Sequence, residues 1–524
     1  MNSPSVSVYS MRQLRTDERK AVGNSTFALC AILKPQYNMT RLTKMLKVGL
    51  LFFTTLQTNA KPTDYLLECW NKQVKPLQEQ YLTLSYEEKL NELEHSFEPW
   101  EQTNYIGKGT VWVNADNFLK QDTLINGERT YFSKTQFNKT DLLFLDYGDK
   151  DLFDVTQSMF LDQTFKTARY SPIMMINYFV QQNVSANKEN NNDFAIYETT
   201  INKTIIKLYI RRSDNLLNKI TTLSDDELLG DVLSTFTYSD YSAADKLSYP
   251  KTIQITKING KVKDEMKIST ATLTNEIPKL LHKPADYKFK EETEIKPEIK
   301  VEKYSDNIHF IDIKHTNDKI MVVEFSDFLL VAEAPLSSKN GELIISEAKK
   351  IAPNKPIKYF VFGHYHPHYL GGMRPFIHKG ATILCVKSNE EYVKYLANAP
   401  HTLNPDSLQL QPKLLQTKEI KDSLTITDRK FEMKIYFIGK RSEHTNDYLI
   451  YYFPAEKLLF EDDLIWIARE GEIKKARGRQ AGLYNAIKEL SLDVKTIIQS
   501  WPVADYGVKT VIPFDDLKKS MTTQ

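Results

Sequence analysis

Between residues 363 and 372 the chain reads Gly-His-Tyr-His-Pro-His-Tyr-Leu-Gly-Gly, which sets His364, His366 and His368 at alternate positions. Neutral imidazole is the commonest transition-metal ligand, and closely spaced histidines can converge on one ion. Such an ion acidifies bound water and polarises a carbonyl or phosphoryl group. A hydrolytic site of this kind needs three or four ligands, an open position and a nearby acid or base. His368 can serve as a ligand or as the acceptor of the water's proton. Tyr369 can donate a hydrogen bond to an oxyanion, the role open to a phenol at neutral pH.

The element that must carry this run is a strand. Ile-Lys-Tyr-Phe-Val-Phe over 357–362 has the apolar, aromatic composition of a buried strand, and Gly371-Gly372 can open a helix. The histidines therefore sit on a short loop at the carboxyl end of a strand, where α/β folds keep their ligands.

These residues resemble the metallo-β-lactamase-fold hydrolase family, whose signature is His-x-His-x-Asp-His-x-Gly-Gly after a strand. His364 and His366 match the first two ligands, and Gly371 and Gly372 match the glycines. His368 stands where the family has Asp, and Tyr369 where it has His. The resemblance covers roughly 305–524 and extends to the flanking runs 353–359 and 379–384. It implies an αββα sandwich with the metal at one edge. It also implies a third ligand at His444 and a strand-end carboxylate at Asp462, the latter preceded by Glu461 in place of the usual Gly. The family's last His has no counterpart, since Ser500-Trp501-Pro502 occupies its place.

The first metal position thus keeps His364, His366 and His444, while the second retains only Asp462 and, as a substitute, His368. Three outcomes stay open: a mononuclear zinc, iron or manganese site with Asp462 binding metal or water and, like His368, able to accept the water's proton, a site rearranged around His368, or a non-catalytic protein that keeps the fold for binding. The expected chemistry is hydrolysis of an ester, lactone, amide or phosphoester. The fold hosts all of these, so it does not select a substrate.

The rest of the chain organises around that domain. The 524 residues suggest two or three domains, and 41% hydrophobic and 11% aromatic content is enough for sizeable cores. Lys plus Arg (69) balances Asp plus Glu (67), which supports neither nucleic-acid binding nor a polybasic membrane surface. Cys30, Cys69 and Cys385 show no metal-like spacing.

Arg41, Lys44 and Lys47, an apolar run over 48–56 and Thr58-Asn-Ala60 read as a secretory signal peptide over 39–60, too short to span a bilayer. An upstream extension over 1–38 precedes it, and the expected location is periplasmic or extracellular in a bacterium. Apolar residues from Tyr65 to Tyr81 recur at helical spacing, and Ser85-Tyr-Glu-Glu88 reads as the capping box of a second helix.

From about 105 to 280 the pattern alternates. Thr204–Ile210 and Ile253–Ile258 are strands, and Asn259-Gly260 is a hairpin turn. The expected class is therefore α+β. Residues 61–281 form a mostly antiparallel β-rich domain with N-terminal helices, a module that grips substrate or binds a partner. A Lys/Glu/Pro-rich linker spans 282–304, and the metal-binding domain fills 305–524.

Overall fold

The computed structural model describes residues 64–524, except 78, 94–95, 139–140, 147–150, 155–156, 188, 277–287, 290–296, 430, 504–505 and 524. The expected signal peptide and upstream extension lie outside the described residues. The protein is α+β, built on large antiparallel sheets.

The N-terminal part is one thirteen-stranded sheet. The chain enters at its middle with Tyr81–Leu93 and steps outward through Gln102–Val113, Phe118–Asn126 and Arg129–Phe137. It returns from the far edge, Phe194–Ile201, to Val262–Thr274, which pairs antiparallel with the starting strand (Leu82 opposite Leu273). The helix Ile173–Gln181 buries Ile173, Met174, Met175, Ile176 and Phe179. The turn at Asn259-Gly260 joins Leu247–Lys257 to Val262–Thr274.

One expectation is corrected here. Tyr65–Gln73 is helical, but the second helix is instead the strand Tyr81–Leu93. Its Glu and Lys residues suit a helix, yet Leu82, Leu84, Tyr86, Glu88 and Leu90 are buried at every second position, the period of a strand. Glu88 tolerates the inward position because the Arg169 guanidinium binds its Oε2 at 2.9 Å through both Nε and Nη2. A partner 81 residues away thus overrides local propensity.

The C-terminal part packs two further sheets face to face. The first runs in the order Ile299–Lys303, Ile308–Ile313, Asp318–Glu324, Leu329–Ala332, Ile357–Val361, Thr382–Cys385, Gln416–Glu419. The second runs Ser423–Asp428, Phe431–Phe437, Leu449–Phe453, Leu458–Glu461, Thr496–Gln499, Val511–Pro513. Between them lie Phe310, Met321, Leu330, Val361, Met433, Tyr451 and Phe460. The helices Ser338–Ile351 and Met373–Lys379 cover the outer face of the first sheet. Gly478–Glu489 and Phe514–Thr522 cover that of the second. Residues 299–303, expected in the linker, are the edge strand of the first sheet. Cys69 and Cys385 are separate buried free thiols.

Candidate metal centre

The strand Ile357–Val361 runs parallel between Leu329–Ala332 and Thr382–Cys385, and the histidine loop begins where it ends. Both inner sheets fix that loop at Gly363. Its N–H donates to Glu333 Oε1 at 3.1 Å, and its carbonyl accepts from Leu449 N–H at 2.7 Å. A Cβ at this position would lie 2.2 Å from Asp462 Oδ2, so only glycine lets the carboxylate approach. The following glycines serve the same end, since a Cβ on Gly371 would meet the Leu336 backbone at 2.6 Å.

His444 comes from the second sheet, on the turn between Phe431–Phe437 and Leu449–Phe453. Ser442 Oγ accepts from its N–H at 3.1 Å and shapes that turn. His364, His366 and His444 are 0%, 3% and 5% exposed. Each offers one ring nitrogen, and these nitrogens all lie within 4.8 Å of one another. His364 Nε2 and His366 Nδ1 are 2.9 Å apart. A tetrahedral zinc about 2.0–2.1 Å from each imidazole would set its ligand nitrogens about 3.3 Å apart, within that spread. His444 Nε2 is buried without an aligned hydrogen-bond partner.

Asp462 is not in the group of three. Its Oδ2 is 2.6 Å from His364 Nδ1, the ring nitrogen opposite the one that faces His366. This is the place of a carboxylate that orients a metal-bound imidazole. Burial raises the Asp462 carboxyl well above its usual range, and neighbouring Glu333 and Asp463 raise it further. Burial also pushes Glu333 up to about 8. Glu333 accepts from Tyr451 Oη at 2.8 Å.

His368 is also outside the group. Its Nδ1 lies 3.0 Å from both Asp318 oxygens, and its ring is 6.3 Å from Trp501. Burial raises Asp318, and His368 partly offsets that. Tyr369 packs its ring 4.3 Å from that of His364, and burial keeps its phenol protonated.

Several functional candidates escaped the sequence. Asp463 Oδ2 stands 3.3 Å from His444 Nε2 and 3.7 Å from Arg479 Nη1. Burial would raise this carboxyl, but His444, His364 and Arg479 outweigh it and hold it far below the carboxylate range. Tyr448 stacks on His364, with centroids 4.8 Å apart and rings 17° from parallel. Its Oη accepts from the N–H groups of Asp462 and Asp463 at 3.1 and 3.0 Å and donates to Glu461 Oε2 at 3.0 Å. The signals available were Glu461-Asp462-Asp463 at a strand end, and Glu333 as the lone carboxylate closing an apolar strand. Nothing local marks Tyr448.

The residues fit a cation. Three imidazole nitrogens converge, and the carboxylates around them have no buried Lys or Arg among the described residues.

No protein-family model matches the chain, and no curated protein matches it either. Solved structures do. The DIM-1 metallo-beta-lactamase is similar at 16% identity and a TM-score of 0.32, over 43% of this chain and 96% of that one. A metallo-beta-lactamase from Pontibacter korlensis is similar at 14% identity and a TM-score of 0.32, over 43% and 98%. The flavodiiron protein from Giardia intestinalis is similar at 15% identity and a TM-score of 0.31, over 43% and 58%.

Proposed function

We propose that the chain is an exported metal-dependent hydrolase whose C-terminal part is a metallo-β-lactamase-like αββα sandwich with a mononuclear site. Zinc suits the three-nitrogen set best, with iron or manganese as alternatives. The observation that carries the reading is the convergence of three buried imidazole nitrogens within 4.8 Å, backed by carboxylates that no buried Lys or Arg among the described residues neutralises.

His364, His366 and His444 would hold the ion. When bound, it acidifies water and polarises the carbonyl or phosphoryl group under attack. Asp462 fixes the His364 tautomer by accepting from Nδ1. Asp463 is the better placed of the two carboxylates to take a proton, because it faces His444 Nε2 whereas Asp462 lies against the far nitrogen of His364. His368, oriented by Asp318, is a second proton acceptor, and Tyr369 a neutral donor to a developing oxyanion. Export rests on the sequence over 39–60. Among the described residues no helix is long and apolar enough to cross a membrane.

The test is metal analysis of mildly purified protein, paired with turnover of p-nitrophenyl esters, lactones and phosphoesters. About one ion per chain, and loss of both ion and turnover in His366→Ala, is expected. Protein purified without zinc, iron or manganese, and unable to take one up, removes the reading. The near-complete burial of the triad favours one rival, a non-catalytic protein that uses the fold for binding. Such a protein would keep its partner in His366→Ala.

A further inference from the structure

Among the contacts the thirteen-stranded sheet makes with the second part of the molecule, two differ in kind. At the first, Asp231 accepts from Thr402 N–H at 2.9 Å and Leu403 N–H at 3.1 Å, and its own N–H donates to the Pro400 carbonyl at 2.6 Å. Asn404 adds a bond to Asp225 at 3.0 Å. Beside these bonds Leu229 enters the core under the first sandwich sheet, with Leu228 and Val232 packed against it, and all of these contacts are remote in sequence from the histidines, as expected of a strut.

The second contact is the 96–101 loop, which joins Tyr81–Leu93 to Gln102–Val113. It lands on the residues interleaved with the candidate ligands. Tyr365, between His364 and His366, donates through Oη to the Ser96 carbonyl at 2.7 Å. Asn446, two residues after His444, donates its N–H to the Phe97 carbonyl at 2.8 Å and its Nδ2 to Glu98 Oε1 at 2.6 Å. Both histidine loops therefore hold the same three consecutive residues of the sheet.

The loop is also organised from within. Glu101 Oε2 accepts from Phe97 N–H at 2.9 Å. Trp100 meets Tyr392 and Tyr395 edge-on at 5.2 and 4.9 Å, with Lys261 Nζ 4.7 Å from its ring. Trp100 is thus the anchor. An anchoring side chain buries itself, yet Phe97 stays 54% exposed although its backbone is tied down. Holding a large apolar side chain in water beside the two histidine loops gains nothing for folding. It gains affinity when a ligand covers the ring.

We propose that the 96–101 loop forms one wall of the metal centre and that Phe97 is a specificity-determining residue, selecting substrates whose acyl group is an extended apolar chain. The sheet is then the substrate-selecting part of a composite site. The selectivity for acyl length rests on the hydrolase reading; the wall itself does not.

The zinc-loaded full chain is compared with its Phe97→Ala and Phe97→Leu variants on p-nitrophenyl acetate and p-nitrophenyl octanoate. The octanoate-to-acetate ratio of kcat/KM is expected to fall about tenfold in Phe97→Ala, through KM, and to recover in Phe97→Leu, with zinc content unchanged. A ratio that stays within twofold overturns the proposal, because a strut would alter both esters alike. If the parent chain hydrolyses neither ester, the hydrolase reading fails by itself. Calorimetric binding of octanohydroxamate and acetohydroxamate then decides the wall: Phe97→Ala must erase the preference for the longer chain, and an unchanged preference, or none in the parent chain, overturns it.

Discussion

The molecule buries two clusters of carboxylates and treats them in opposite ways. In the thirteen-stranded sheet, Glu88, Asp122 and Asp264 are matched by Arg169, Lys120 and Lys257. Arg169 reaches Glu88 and Asp264 at 2.9 Å each, and Lys257 reaches Asp264 at 3.0 Å. In the sandwich, Glu333, Glu461, Asp462 and Asp318 are all 0% exposed, and their partners are tyrosine hydroxyls, backbone N–H groups and histidines. The nearest guanidinium, Arg479, is 37% exposed and only reaches Asp463. Burying a carboxylate is costly unless it is paired, protonated or bound to a metal. The first cluster carries its own cations and is complete as a structural network. The second is short of positive charge beside three convergent imidazoles, so it either holds protons or recruits an ion.

The sharpest way to break this contrast is to remove a ligand. His366→Ala leaves two nitrogens, and metal content should fall from about one ion per chain to a trace, with hydrolysis at the uncatalysed level, read by elemental analysis and ester turnover. Retention of one ion would show that the carboxylates alone satisfy it and that the triad is incidental. Glu88→Ala attacks the other cluster. It strands Arg169 beside Asp264 alone, and losing a partner from a buried pair costs about 3–5 kcal/mol. Urea unfolding should shift accordingly, while the folded protein still binds its ion. If metal is lost in step with Glu88, the two clusters are not separable. Gly363→Ala tests the join between sheet ends and site. Its Cβ would sit 2.2 Å from Asp462 Oδ2 and push the carboxylate off His364. Disturbing such an orienting group lowers metal affinity by about 10–100-fold, which competition with a chelator measures.

How much of this was legible follows from how local each signal is. The histidine loop announced itself because three histidines, a strand and Gly-Gly fall within sixteen residues. The antiparallel sheet was legible from alternation over Thr204–Ile210 and Ile253–Ile258, which fall on Thr204–Arg211 and, but for Ile258 in the turn, on Leu247–Lys257. Tyr81–Leu93 was not, because its inward Glu88 makes sense only once Arg169 arrives from the far side of the domain. Asp462 was expected from the family resemblance, but which ring nitrogen it would face is set by tertiary packing, so a carboxylate expected on the ion or its water stands against Nδ1 of His364. His368 was grouped with its neighbours by spacing, yet Asp318, fifty residues upstream, turns it aside. The 96–101 loop carries no motif; its place at the centre is a product of tertiary contact alone.

The gentlest probe of the contrast is pH. Burial pushes Glu333 and Glu461 up to about 8, against ordinary values near 4.5. A carboxyl raised on folding binds its proton more tightly in the folded state. Its contribution is complete below the unfolded value and is lost as pH rises through the folded one. Metal-free protein should therefore lose stability between about pH 5 and 8, by at most about 1.4 kcal/mol per pH unit for each group. Asp463 works in the opposite direction only below about pH 4, because its carboxyl is lowered from 3.8, while His309 and His401, lowered from 6.5 by burial, oppose the trend below about pH 6.5, so the slope is read above that point. A bound dication neutralises the surplus and should flatten the profile in the zinc-loaded protein, and Glu333→Gln should remove part of the slope from the metal-free form. Thermal unfolding of the two forms across this range reads the difference. A slope of the same size in both would mean that the acidic cluster holds its protons regardless of the ion, and that the missing positive charge was never meant to be supplied by a metal.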